Sequence, residues 1–144
     1  TIRYTYGRVG PYEPKDGISY KYSTTLDGVM AKEDNSSWEF TVPSKLRLLY
    51  ETKDYAQYEE NATVPVAFIA DLDITGGNSG SPTINAKGEL VGIAFDGNWE
   101  AMSGNIAFNP DLQRCISVDI RYVLFIIDKY AGATNLIKEM KIVK

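Results

Sequence analysis

The amino-acid sequence predicts a mainly β fold with an α-helix near the C-terminus. Short apolar segments with alternating or β-branched residues recur through residues 2–118, and a hairpin signal divides residues 82–95. In the last quarter the apolar residues change to helical spacing and are Ile120, Val123, Leu124, Ile127 and Ala131. A chain of 144 residues with this pattern is expected to form one domain with a buried core.

The first quarter of the chain predicts strands separated by loops. Alternation over residues 2–6 predicts a strand, and residues 18–23 predict a second one. Between them, residues 7–17 hold three glycines and two prolines, which predicts a loop. Residues 26–33 are ambiguous between helix and turn, and residues 34–37 predict a loop.

The middle of the chain predicts a helix, a strand and a hairpin. Ser44 is a candidate N-cap for a helix that starts at residue 45, and the acidic segment 51–60 is expected to be an exposed helix end and loop. Residues 64–70 form an apolar run rich in β-formers and predict a strand. The hairpin pairs residues 82–85 with residues 89–95 around Ala86-Lys87-Gly88.

The last third predicts two more strands and the helix. The strands are expected at residues 104–108 and 114–118. The helix begins at Ile120 and stops at Gly132, with further helical turns over residues 135–140. The longest apolar run, residues 122–127, is far shorter than the roughly 20 residues that span a bilayer, so no membrane span is expected.

Composition excludes several classes of protein. The net charge is −4, which argues against a nucleic-acid partner, and 44% hydrophobic with 24% charged residues argues against disorder. The chain has no histidine and one cysteine, Cys115, which excludes a His/Cys zinc site and an intrachain disulfide. A carboxylate-only calcium site stays open, although the Asp-x-Asp-x-Asp-Gly loop pattern is absent. We expect no metal and no cofactor. Thr1 is expected to be a cut end, because no signal peptide or initiator methionine is visible.

The segment from Asp73 to Pro82, Asp-Ile-Thr-Gly-Gly-Asn-Ser-Gly-Ser-Pro, predicts a nucleophile on a tight turn. A catalytic serine needs an exposed hydroxyl beside backbone N–H groups that can hold an oxyanion. Ser79 is the candidate nucleophile, and the N–H groups of Gly77 and Ser79 are the candidate oxyanion hole. The alternative is a Gly/Asn/Ser-rich hairpin loop without chemistry. Any Ser-His-Asp chemistry needs a histidine from outside these 144 residues.

At these residues the chain resembles trypsin-like serine peptidases. Their Gly-Asp-Ser-Gly-Gly-Pro motif corresponds to Gly-Asn-Ser-Gly-Ser-Pro at residues 77–82, and residues 90–95 look like their substrate-binding strand. Asn78 replaces the aspartate that captures a new N-terminus in zymogen activation, so that route is not expected.

A closer resemblance extends over most of residues 1–140. The blocks at residues 75–82, 92–108 and 118–132 resemble the bacterial serine-type dipeptidyl-peptidase 7 and 11 family. Glutamyl endopeptidases share the first block but not Phe-Asp-Gly-Asn-Trp at residues 95–99. The resemblance implies the second β-barrel half of a chymotrypsin-like double barrel, with the terminal helix.

The resemblance also implies what the rest of such a protein supplies. The catalytic His and Asp belong to the first barrel, and a helical domain covers the cleft. This chain alone is therefore expected to be inactive. The whole protein is expected to be a periplasmic or secreted homodimer that acts on oligopeptide substrates.

Two residues acquire substrate-binding roles from the resemblance. Asp96 is expected to bind the substrate's free α-amine, although it could be a surface turn residue. Gly97 is expected at the wall of the specificity pocket, where acid-preferring relatives carry Arg. Glycine there implies hydrophobic side chains before the cut. Asp73 stands where basic-specific trypsin-like enzymes place a pocket acid, but it is interpreted here as structural.

Two alternative functions stay open at the level of sequence. One is a non-catalytic peptide-binding pseudo-peptidase that kept the barrel and lost the histidine. The other is an endopeptidase of the glutamyl type, which would cleave amine-blocked peptides.

Overall fold

The computed structural model describes residues 2–104 and 106–143. Thr1, whose interpretation as a cut end was given above, lies outside the described residues, and so does Asn105 within the predicted strand 104–108. The strands are β1 Tyr12–Lys15, β2 Ile18–Tyr20, β3 Ser23–Thr25, β4 Pro65–Ala70, β5 Pro82–Ile84, β6 Leu90–Gly97 and β7 Cys115–Asp119. The α-helices are α1 Leu26–Ala31, α2 Ser44–Glu51, α3 Ile120–Phe125 and α4 Thr134–Glu139. Short 3₁₀ helices occupy Trp38–Phe40, Ala56–Tyr58 and Trp99–Ser103, and a π-helical turn occupies Ile126–Tyr130.

The chain forms two compact units. The first unit comprises residues 1–23 and 67–119, and the second comprises residues 24–66 and 120–144. Each unit is therefore discontinuous in sequence.

The first unit contains most of a five-stranded sheet with the order β3-β4-β7-β6-β5. The β4–β7, β7–β6 and β6–β5 pairs are antiparallel. Gly92 in β6 packs against the ring of Phe68. A Cβ at this position would lie 2.7 Å from the ring and 2.8 Å from the Val118 carbonyl oxygen. The sheet thus needs glycine at the point where β4, β6 and β7 are packed most closely.

The second unit buries an apolar core of its own. Tyr55, Tyr58 and Phe125 are almost completely buried, with Phe125 packed edge-on against Tyr55 at 6.3 Å between ring centroids. The Tyr58 hydroxyl donates a hydrogen bond to Asp128 at 2.9 Å, which satisfies its polar end. The remaining core residues are Leu26, Val42, Leu46, Leu49, Val64 and Leu124.

The predicted C-terminal helix is confirmed, with a change of pitch. Helix α3 continues into the π-helical turn, and Gly132 follows it with φ 68°, the left-handed conformation that ends helices. Helix α4 confirms the further helical turns predicted over residues 135–140. None of the helices in the described part of the chain is both long enough and apolar enough to cross a membrane.

Several predicted elements are absent or different. Residues 2–8 form no strand, and the side chains of Ile2, Tyr4 and Tyr6 are 85–93% exposed. The predicted loop 7–17 contains β1 and is closed against β2 by a turn at Gly17, whose φ is 75°. The described residues between 104 and 108 form turns and coil, so the strand predicted there is wrong.

Two predictions about helix α2 and the acidic segment after it are also corrected. Ser44 is the first helical residue rather than the cap, because Pro43 occupies the N-cap and makes no side-chain hydrogen bond. The segment 51–60 is not wholly exposed, because Tyr55 and Tyr58 turn inward to the core of the second unit. Cys115 is 1% exposed, which confirms its interpretation as a small buried hydrophobe, and burial raises the pKa of its thiol.

Candidate active site

The loop before Ser79 is a tight turn closed by Asn78. The Asn78 amide donates to the Thr75 carbonyl at 3.1 Å, and the Thr75 amide donates to the Asn78 side-chain oxygen at 2.8 Å. Gly77 has φ 99° and Gly80 has φ 89°, conformations that residues with a Cβ rarely adopt. Asn78 thus has a structural role here, since its side chain closes the turn that carries Ser79.

Ser79 is exposed, and its turn is anchored to strand β6. The Ser79 hydroxyl donates a hydrogen bond to the Phe95 carbonyl at 3.2 Å. The Gly80 amide donates to the Ala94 carbonyl at 2.8 Å, and the Ala94 amide donates to the Ser81 carbonyl at 2.9 Å. These contacts hold the hydroxyl next to the end of β6.

The two predicted oxyanion-hole amides remain available. In residues 2–104 and 106–143, hydrogen bonds engage the amides of Asn78, Gly80 and Ser81, but none engages those of Gly77 and Ser79. Gly77 and Ser79 are exposed, so both amides meet the first requirement of an oxyanion hole, which is two donors without an internal partner.

Strand β6 contains a β-bulge at Phe95. Ala94 pairs with Ser117, whereas Asp96 pairs with Ile116, so Phe95 is an extra residue on the β6 side. As a result, the side chains of Phe95 and Asp96 are both exposed although they are consecutive. The Gly97 amide donates to one Asp96 carboxylate oxygen at 2.8 Å, and within the described part of the chain no other group bonds that carboxylate.

Ser79, Asp96 and Gly97 line one cavity of about 360 Å³ in the first unit. Gly77 lies in the adjoining turn, whereas Asp73 does not line the cavity and its amide donates to the Thr5 hydroxyl at 3.1 Å. The sequence-predicted site residues are therefore brought together, and the competing role for Asp73 gains no support. The other lining residues are Ile74, Thr75, Gly76, Asn78, Ala94, Phe95, Asn98, Ala101 and Met102.

The wall of this cavity beside Gly97 is small and apolar. A Cβ at Gly97 would lie 2.9 Å from the Ala101 Cβ and 3.8 Å from the Ile74 side chain. None of the described lining residues is Lys or Arg, so the cavity wall holds no cation for an acidic side chain. Sequence reasoning missed Ile74 and Ala101, because apolar residues in a short loop carry no chemical signal.

A polar network holds the segment that follows Gly97. The Asn98 side-chain amide donates to the Leu112 carbonyl at 2.7 Å and to Glu100 at 2.8 Å, and its oxygen accepts from the Arg114 amide at 2.8 Å. Glu100 also accepts from the Tyr12 hydroxyl at 3.1 Å. Burial, followed by the contact with Glu100, raises the pKa of Tyr12, although Asn98 acts in the opposite direction.

A larger cavity, about 410 Å³, belongs entirely to the second unit and contains none of the predicted site residues. The smaller cavity is therefore the candidate active site, because Ser79, Asp96 and Gly97 line it. No group of three or more His, Cys, Asp or Glu side chains that could hold a metal occurs within residues 2–104 and 106–143.

Comparison with known proteins identifies the family. A family model described as Peptidase S46 matches residues 1–142. The chain belongs to the peptidase S46 family. Over its whole length, this S46 chain is 62% identical to Dipeptidyl-peptidase 7 of Phocaeicola vulgatus. It is also 54% identical over 99% of its length to the Asp/Glu-specific dipeptidyl-peptidase of Porphyromonas gingivalis.

Solved structures agree with this assignment. The S46 chain superposes on Porphyromonas endodontalis DPP11 in complex with the dipeptide Arg-Glu with a TM-score of 0.94, at 51% identity over 96% of its length. The predicted fold class, a mainly β second barrel half of a double barrel with a C-terminal α-helix, is thereby confirmed. Its sheet has five strands, and more than one helix follows it. The chain spans about 20% of the length of these relatives.

Proposed function

We propose that the whole protein to which this chain belongs is a serine exopeptidase that releases dipeptides from the free N-terminus of oligopeptides. The observation that carries the proposal is the shared cavity, which is lined by an exposed serine that donates to the Phe95 carbonyl and by the exposed carboxylate of Asp96. The relatives named above carry dipeptidyl-peptidase names, which supports the same reaction class.

The proposed reaction starts with attack of the Ser79 hydroxyl oxygen on the scissile carbonyl carbon. The hydroxyl proton passes to a histidine outside this chain, and the N–H groups of Gly77 and Ser79 stabilise the oxyanion. When the C–N bond breaks, the histidine gives its proton to the leaving amine and the dipeptide remains as an ester on Ser79. Water then hydrolyses the ester by the same proton transfers in reverse.

Asp96 supplies the recognition that makes the enzyme an exopeptidase. A free α-ammonium group needs an anionic partner, and a charge-assisted hydrogen bond is roughly twice as strong as a neutral one. The carboxylate of Asp96 is exposed at the cavity, and only the Gly97 amide of the described residues bonds it. It can therefore accept hydrogen bonds from a ligand amine.

The side-chain preference is proposed to be hydrophobic. Gly97 adds no charge, and the wall beside it is formed by Ile74 and Ala101. Apolar side chains gain free energy when they leave water for such a surface, at about 25 cal/mol per Å² buried. An Asp or Glu side chain would be desolvated there without a cation.

The remaining parts of the proposal concern the whole protein. Because the 144 residues include no histidine, the general base and its Asp partner come from the N-terminal barrel of the longer protein. The full-length enzyme is proposed to be a homodimer that is periplasmic or secreted.

The test uses the full-length protein and dipeptidyl-coumarin substrates with free or acetylated α-amines. Ser79→Ala is expected to lower kcat by about 10⁶-fold, since the nucleophile is lost. Asp96→Ala is expected to lower kcat/KM for the free-amine substrate by about 10- to 100-fold, because a charge-assisted hydrogen bond is lost.

The matched control for Asp96 is Asp73→Ala, which removes an exposed carboxylate of the same unit that does not line the cavity. Asp73→Ala should leave kcat/KM unchanged for both the free-amine and the acetylated substrate. Equal cleavage of free and acetylated substrates would favour the glutamyl-type endopeptidase, and no cleavage of either would favour the pseudo-peptidase.

A further inference from the structure

We infer that Asn98 is a positioning residue for substrate recognition: its side-chain amide fixes the Asp96–Gly97 edge of the cavity. The inference rests on the proposed function and deepens it. Asn98 directly follows the two candidate substrate-binding residues, lines the same cavity and is partly buried.

Asn98 binds with both its backbone and its side chain to the segment that leads into strand β7. The Asn98 amide donates to the Arg114 carbonyl at 3.0 Å, while its side-chain oxygen accepts from the Arg114 amide at 2.8 Å. Its side-chain nitrogen donates to the Leu112 carbonyl at 2.7 Å. The end of β6 is therefore held in place at the point where the ladder to β7 stops at the Gly97–Cys115 pair.

The partners of Asn98 are themselves fixed. The Arg114 side chain is buried, and its guanidinium donates to the carbonyls of Pro11, Pro110 and Gln113 at 2.6–3.1 Å. Its guanidinium carbon lies 5.4 Å from the centre of the Tyr12 ring. Glu100 joins the same network by accepting from both Asn98 and Tyr12.

This network acts where the sheet gives least support. The bulge at Phe95 interrupts the ladder immediately before Asp96, and the strand ends at Gly97. A side chain on a strand end moves with its backbone, and a displacement of about 1 Å at a reacting site can cost about 100-fold in rate. Beyond the last ladder pair, Asn98 adds side-chain hydrogen bonds to Leu112 and Arg114 on the neighbouring segment, and a third one to Glu100 on its own.

The chain offers a matched control in Asn85. This residue also makes three side-chain hydrogen bonds, with the amides of Lys87 and Glu89 and with the Glu89 carboxylate at 2.6–3.1 Å. Its backbone amide also donates across a turn, to the Glu89 carbonyl at 3.0 Å. Asn85 belongs to the same unit but does not line the cavity.

The experiment measures kcat and KM of the full-length protein on a free-amine dipeptidyl-coumarin substrate with a hydrophobic second residue. Asn98→Ala is expected to raise KM by about 10- to 100-fold with a smaller change in kcat, because recognition is misplaced more than the nucleophile. Asn85→Ala should leave KM unchanged, although it should lower the thermal midpoint by about as much as Asn98→Ala does. Asn98→Asp serves as the second variant in case Asn98→Ala does not fold. It keeps the acceptor for the Arg114 amide but loses the two hydrogen bonds that the side-chain nitrogen donates, so it should also raise KM.

The decisive comparison is the double variant of Asp96→Ala with Asn98→Ala. If Asn98 acts through Asp96, the double variant has the kcat/KM of Asp96→Ala within about twofold. The inference would be overturned if the losses in kcat/KM of the two single variants multiply in the double variant, or if Asn98→Ala and Asn85→Ala change KM equally. The proposed function would then still be tested separately by Asp96→Ala. A wild-type protein that releases no dipeptides would overturn both.

Discussion

At the scale of single residues, Gly97 and Ala101 are in close contact at the wall of the candidate cavity. The two positions are so close that any side chain at 97 would meet the Ala101 methyl group at 2.9 Å. From the resemblance, the sequence predicts that Gly97 lies at a pocket wall, and Gly97 does line the cavity. The sequence could not predict the contact, because the closeness of residues 97 and 101 depends on the 3₁₀ helix Trp99–Ser103.

A charge introduced at position 97 should change the preference. Gly97→Arg in the full-length enzyme is expected to raise the ratio of kcat/KM for Glu over Leu before the cut by about 10- to 100-fold, since a charge-assisted hydrogen bond becomes available. The single variant is strained by about 1–3 kcal/mol, because Ala101 occupies the space. Ala101→Gly should restore its absolute rate.

The control is Gly97→Gln combined with Ala101→Gly, which fills the same space without a charge. A similar gain for Glu in this control, or none with Arg, would contradict the electrostatic explanation.

At the scale of elements, strand β6 carries Asp96 and Gly97 and anchors the turn that carries Ser79. Its pairing with β5 follows from sequence, because the β5–β6 hairpin has both a turn signal and β-forming flanks. The bulge at Phe95 could not be predicted, because a bulge is defined by the pairing with the partner strand, and the sequence of β6 alone does not show which residues pair. The outward direction of Asp96 depends on the bulge.

Alternation alone failed at the N-terminus for a related reason. Ile2, Tyr4 and Tyr6 alternate with polar residues, but alternation indicates an extended preference and supplies no partner strand. Conversely, Pro11, Pro14 and Gly17 hid the hairpin of β1 and β2, because these residue types are typical of loops. Pro11 directly precedes β1, Pro14 lies within this edge strand, and Gly17 forms the turn.

The close packing of β4 on β6 predicts a cost for any side chain at position 92. Gly92→Ala is expected to destabilise the first unit by about 1–3 kcal/mol, because the methyl group meets both the Phe68 ring and the Val118 carbonyl. Hydrogen exchange of the amides in residues 90–97 and 115–119 measures the effect. Gly10→Ala is the matched control, since nothing lies within 4 Å of a Cβ at Gly10, and equal exchange in the two variants would contradict the packing argument.

At the scale of the whole molecule, the candidate site belongs to one of two compact units. All the residues of the site lie within residues 67–119, while the second unit has its own core. Length and composition could not predict this division, because each unit is assembled from two separate stretches of chain. The tyrosines that build the second core lie in a segment rich in acidic residues, which hid their burial.

The 144-residue polypeptide by itself is expected to be nearly inactive. It carries the candidate nucleophile but no histidine, and loss of the triad histidine in a serine peptidase costs about 10⁶ in turnover. The measurement is release of free-amine dipeptides by the purified polypeptide against its Ser79→Ala variant. Release that is sensitive to phenylmethylsulfonyl fluoride and absent in the variant would contradict the expectation.

The hydrogen bond between the Ser79 hydroxyl and the Phe95 carbonyl has a consequence for product length. One rigid peptide plane joins Phe95 to Asp96, and the Ser79 hydroxyl donates to the carbonyl of this plane, while the Asp96 side chain follows directly after its nitrogen. Under the proposed function, this plane sets how many residues fit between amine and cut. An enzyme that removes single residues or tripeptides would then have to move its acid to another backbone position, and widening the pocket would not suffice.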